Sequence, residues 1–246
     1  DKTQSIKRVI NGYALKSAKV SGYLWDTITE NVVSEYIDGD DNDGYVVSTR
    51  VNPATGVITS YPKFKTIFGT RISFRHGVWN PKTASYEIDR LKVLNVPVLK
   101  CHFIFGVTGA VKHYMGIPSD KLTARLGYQT HPTVGQGGMG TLMATTRFPT
   151  LNILDAIYIN AHPGKGPGTT YDAATETNII AASIDPIALD YWASKNILCK
   201  TAKNVHNEDP TFIDPDNNAE KSFGAWLRLA SGELSAAGFN VTYDPA

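Results

Sequence analysis

The chain predicts an α/β fold: a mixed, largely parallel central sheet flanked by helices, with an antiparallel β-hairpin excursion near residues 45–75. Three observations carry this. Short, nearly continuous apolar runs at residues 93–99, 151–159 and 178–184 are separated by Gly/Pro-rich loops, the pattern of strands buried on both faces. Asp185-Pro186 opens a helix that the apolar periodicity continues through residues 187–198, since Asp caps free amides and Pro suits the first helical turn. Residues 45–51 and 57–61 flank Asn52-Pro-Ala-Thr-Gly56, where proline and glycine supply a turn, and a third β-rich run follows at 66–74.

Ahead of this meander, two apolar-periodic segments at residues 6–18 and 24–37, broken at Ser21-Gly22, predict two helices joined by a turn. The acidic loop Asp38-Gly-Asp-Asp-Asn-Asp-Gly44 ends the second. Asp38, Asp40 and Asn42 imitate the start of a calcium loop, but Asp43 takes the glycine place and Thr49 the final glutamate place, which excludes an EF-hand. Loose calcium binding or a solvated turn remain. At the far end a helix is expected over residues 219–237, stopped by Gly238, with a last strand at 239–243. With 246 residues and 42% hydrophobic content, one core and one domain are expected over 1–246: a helical part at 1–44, the excursion at 45–75 and an α/β core at 91–246.

Twenty-four basic and 23 acidic residues leave a net charge of +1 with no basic stripe, which removes the electrostatic basis for nucleic-acid binding. No apolar run is long enough for a membrane span. The chain starts at Asp1, as a processed precursor or a fragment would. A composition rich in Tyr, Thr and Asn with 19% charged residues leans towards the periplasm or the extracellular space, with the cytoplasm as the alternative. Cys101 and Cys199 belong to no CxxC pair, so no iron–sulfur cluster is encoded and two buried free thiols are expected.

Polar chemistry concentrates between residues 95 and 196. Lys100 and His102 leave the end of a predicted strand on one side, where open α/β sheets place ligands. Gly106-Val-Thr-Gly-Ala-Val-Lys112 reads as a tight loop entering a helix, its amides able to face an anion, with Thr108 and Gly109 as substrate contacts and Lys112 beside them. Gly135-Gln-Gly-Gly-Met-Gly140 satisfies GxGxxG without the strand that would make it a dinucleotide fingerprint. His102, His113, His131 and His162 lack metal-motif spacing, so a divalent transition metal would need a site assembled by the fold, with His102, His131 and Asp155 as ligands. Asp155 within an apolar strand needs a partner, for which Lys100 or Lys112 is the simplest. Asp190 within a helix, where Asp is a poor former, needs a reason and is a candidate substrate contact.

Val96-Pro-Val-Leu-Lys100-Cys-His102, Val107-Thr-Gly-Ala-Val-Lys112, Gly116, His131, Asp155-Ala-Ile, Gly166-Pro-Gly168 and Ser183-Ile-Asp185-Pro-Ile-Ala-Leu-Asp190 together make residues 91–243 resemble the family called domain of unknown function 362. Some members of that family carry ferredoxin-type segments or twin-arginine signals; neither pattern occurs in this sequence. The family usually has an additional N-terminal α/β portion, whereas residues 1–90 here read as helical and then β-hairpin-like. The Gly106–Lys112 loop is also similar to that of nickel-pincer lactate racemases.

Two functional readings follow. One is a metal- or anion-dependent enzyme on a small anionic substrate, with Lys100 and Lys112 holding the anion and His102 or His131 acting as ligand or acid/base alongside Lys112. The other is a non-catalytic exported protein that binds a ligand or assembles into a homo-oligomer through the strands at 45–75.

Overall fold

A computed structural model describes residues 5–14, 19–125, 130–166 and 173–244. The described residues form two five-stranded sheets. The first is a purely antiparallel meander, β1 (Gly44–Val51), β2 (Ile58–Lys65), β3 (Arg71–Ser73), β4 (Gly77–Asn80) and β5 (Ser85–Glu87), with strands in chain order. The excursion expected at 45–75 is therefore a complete sheet reaching residue 87. The second combines β6 (Leu94–Asn95), β7 (Val98–His102), β8 (Gly106–Thr108), β9 (Leu151–Asn160) and β10 (Thr175–Ser183), in the order β10-β9-β7-β8, with β6 also on β9.

The second sheet is mixed, but not largely parallel. Strands β6 and β7 run parallel to β9, whereas β7/β8 and β9/β10 are antiparallel. The three-residue link between β7 and β8 allows only a hairpin, and Pro163, Gly164 and Gly166 after β9 disfavour the crossover helix a parallel pair needs. Nor are the strands buried on both faces. Burial alternates along β9 and β10, and Ile180 is 65% exposed.

The helices are α1 (Ile6–Ala14), α2 (Ala110–His113), α3 (Asp120–Arg125), α4 (Gly138–Thr145), α5 (Pro186–Ala193), α6 (Cys199–Asn204) and α7 (Phe223–Ala236). As expected, Asp185 caps α5, accepting from Ile187 N at 2.9 Å and Ala188 N at 3.0 Å. Its other oxygen accepts from Thr242 N, so residues 239–243 are held by a side chain and form no strand. Ser222 caps α7, which gives way at Gly238 with φ 89°. One cluster of buried side chains joins Tyr61 of the first sheet, with Val57 and Phe74 next to its strands, to Leu99, Val107 and Leu154 of the second through helical residues such as Met139 and Trp226.

The expected helix at 24–37 does not form. A single 3₁₀ turn, Trp25–Thr27, is followed by extended chain whose backbone pairs with Tyr45 of β1. The β-branched pair Val32-Val33 favours that choice. It also covers the outer edge of β1 at Tyr45, part of the edge available for strand addition. Residues 15–18 of the other expected helix lie outside the described residues, as does Gly168.

The acidic loop is an anchor. Asp40 pairs with the fully buried Lys63, Asp41 with Lys65 and Arg71, and Asp43 accepts from Lys65 N and Tyr23. Of the residues that imitate a calcium loop, Asp40 is thus committed to Lys63, while Asp41 and Asp43 hold β2, β3 and Tyr23.

Candidate functional site

The site grows from the turn between β7 and β8. His102 ends β7, and its Nδ1 accepts the backbone N–H groups of Ile104 (3.2 Å) and Phe105 (3.3 Å). Two donors on Nδ1 fix the neutral ring's proton on Nε2. His102 thus presents an N–H donor, not the free lone pair a metal ligand or a base requires. Burial, then the positive charges of Lys112, His131 and Lys100, lower its pKa to about 4. Trp226 Nε1 donates to Phe105 O at 2.8 Å, tying the turn to α7, and Gly106 completes it with φ 75°. A Cβ at Gly106 would lie 2.9 Å from Phe212 O.

Phe105 lies at the centre of the polar group. Its ring centroid is 5.4 Å from that of His102 and 5.3 Å from that of His131, the two imidazoles are 5.9 Å apart, and Lys112 Nζ is 5.5 Å from the ring. Lys112 is 6% exposed and has no hydrogen-bond or ion-pair partner among the described residues. Burial first, and Lys100 second, lower its pKa to about 8. Burial and Lys112 push His131 down too, and its Nε2 is buried without a partner, as is Thr108 Oγ1. Lys100 stands opposite Thr108 in the β7/β8 register. Phe105 and His131 also line a cavity of about 480 Å³, with Ile104, Pro132 and Gln136.

The loop amides do not wait for an external anion. Asp190, fully buried in α5, accepts from Ala110 N (2.6 Å) and Val111 N (2.8 Å). Burial pushes its pKa up to about 7 against the pull of these two donors. That is why α5 carries an aspartate: it caps α2, the helix that bears Lys112. Gly109 is required by the same contact.

Asn95 reinforces α2. Its Nδ2 donates to Ala110 O and to Asn152 Oδ1, each at 2.9 Å, and its Oδ1 meets His113 Nδ1 at 2.6 Å. Asn152 in turn donates to Ser183 O.

Asp155 does not join the site. It lies beside Val98, well before His102 on β7, where its Oδ1 accepts from Ile157 N. It is half-buried and has neither expected lysine as an ion-pair partner. Among the described residues, no group of three His, Cys, Asp or Glu side chains could hold a metal ion. The other histidines go elsewhere: His113 to Asn95, and His162 to Glu208 at 3.1 Å, with its ring 4.0 Å from that of His206. Cys101 and Cys199 are free and buried, with thiols pushed up by burial.

The GxGxxG segment serves packing. Cβ atoms at Gly137 and Gly140 would fall 2.8 Å from Leu229 C and 2.3 Å from Ala230 O of α7. These glycines let α4 approach α7, as Gly-rich helix faces do.

Fold and site define a mixed α/β protein with a lysine–imidazole cluster held on a capped loop. Residues 81–195, a little under half of the chain, match the family described as Domain of unknown function (DUF362), so the resemblance to that family is shown over this segment. It contains His102, Lys112, His131 and Asp190, but not Trp226. No curated protein and no solved structure matches the chain, which leaves the lactate racemase likeness without support.

Proposed function

We propose that the cluster around Phe105 binds a small anion and that the protein acts as an enzyme on an anionic substrate. Lys112 is the principal cation, His102 Nε2–H and His131 are further donors, and Lys100 supplies outlying positive charge. One observation carries this reading: Lys112 is buried without a carboxylate partner, and the charge that bears on it, Lys100, is also positive, while Asp120 bears on His131. A buried lysine is rare unless paired, and here the counter-charge is left to a ligand. With a pKa near 8, the same ammonium can give a proton to, or take one from, the bound group near neutral pH. The anion-dependent branch is favoured over the metal-dependent one because His102 is held in the wrong tautomer for coordination through Nε2.

Titration with inorganic phosphate, followed through the side-chain resonances of Lys112 and His102, tests the reading. Saturable binding that disappears in Lys112→Met supports it. Equal binding by that variant would remove it.

A further inference from the structure

The cavity beside the cluster says what the anion is attached to. Resting on the anion-binding reading above, we infer that the ligand is an organic carboxylate whose charged end meets Lys112 and His131 and whose body is an apolar ring lodged against Phe105, Ile104 and Pro132. The shape supports this in three ways. Phe105 and His131 belong both to the polar cluster and to the wall of the 480 Å³ cavity, so one molecule can touch both. That volume falls within the range of sites that enclose a small organic ligand, whereas a bare inorganic anion would leave most of it unfilled. The orphaned His131 Nε2 supplies an unmet polar contact at the junction of the two regions. Glu220 and Lys221, which also line the cavity, are of opposite sign, so they add no net charge to set against the ammonium of Lys112.

Gly135 provides the test. It lines the cavity, its φ is not in the left-handed region, and a Cβ there would meet only Phe105 Cε1, at 4.0 Å. Gly135→Leu therefore fills space meant for the ring, and Gly135→Met, unbranched at Cβ and Cγ, fills it as a second variant at the same open position. Calorimetric titration of the full chain with acetate, inorganic phosphate and benzoate separates the possibilities. Benzoate is expected to bind about tenfold or more tighter than acetate, from the apolar area it buries. In whichever filled variant folds with wild-type circular dichroism, that margin is expected to vanish while acetate binding stays unchanged. Benzoate no tighter than acetate, or a margin surviving in the folded filled variants, overturns the inference and leaves the anion site standing. Failure of all three probes to bind the wild type overturns both.

Discussion

Asp190 Oδ1 occupies the space that a side chain at position 109 would need: a Cβ on Gly109 would fall 2.3 Å from it. The carboxylate and the glycine are one device, in which the absent side chain lets the acid reach the amides of Ala110 and Val111.

Gly109→Ala is accordingly expected to cost about 2–4 kcal/mol, by dislodging a buried carboxylate from its two donors. Asp190→Ala alone should cost a similar amount. Because the two changes break the same contact, the double variant should be much less destabilised than their sum, as denaturant titration of all three proteins will show. Simple additivity would mean the two residues do not act together.

Lys112→Met is expected to stabilise the protein near pH 7. The folded-state pKa of Lys112 lies near 8, below the ordinary 10.5, so the fold disfavours its charged form. That penalty is fully present below pH 8 and fades as pH rises towards 10.5; its size is about 3 kcal/mol. Urea denaturation at pH 7 and at pH 10.5 should show the gain at the first and little at the second.

Anion affinity should follow the charge of the same group. Binding of phosphate or acetate is expected to weaken as pH rises through about 8, because the ammonium loses its proton. A flat profile between pH 7 and 9.5 would assign the attraction to Lys100 instead.

His102 makes the fold acid-sensitive. Its pKa falls from 6.5 to about 4 on folding, so the stability due to the neutral ring is complete above pH 6.5 and is lost as pH falls through 4. The loss amounts to about 3 kcal/mol. His102→Asn, which can keep an acceptor towards the amides of Ile104 and Phe105, should flatten the acid limb of a stability-against-pH curve.

Local signals predicted local features well. The Asp185-Pro186 helix start, the turn at Asn52–Gly56, the stop at Gly238 and the buried thiols all follow from short-range chemistry, and the concentration of lysines and histidines near residues 100–131 marked the cluster. The long-range contacts were not legible. Nothing near position 105 announces that Trp226 will hold Phe105, and the acidic character of residue 190 says only that a partner exists, not that it is the backbone 80 residues earlier. The apolar runs of β9 and β10 showed strands but not their neighbours, since hydrophobicity alone does not separate a parallel from an antiparallel ladder. At residues 24–37 helical periodicity lost to the backbone pairing that Tyr45 offers.

The chain of amides from Ser183 through Asn152 to Asn95 works like the pin of a lock. A slip of one residue between β9 and either neighbour would turn Asn152 away from its partners. Asn95 would then lose its hold on Ala110 and the helix that bears Lys112. Strand alignment and the position of the buried ammonium are therefore inherited together: a misaligned sheet would misplace Lys112 before it unfolded the protein.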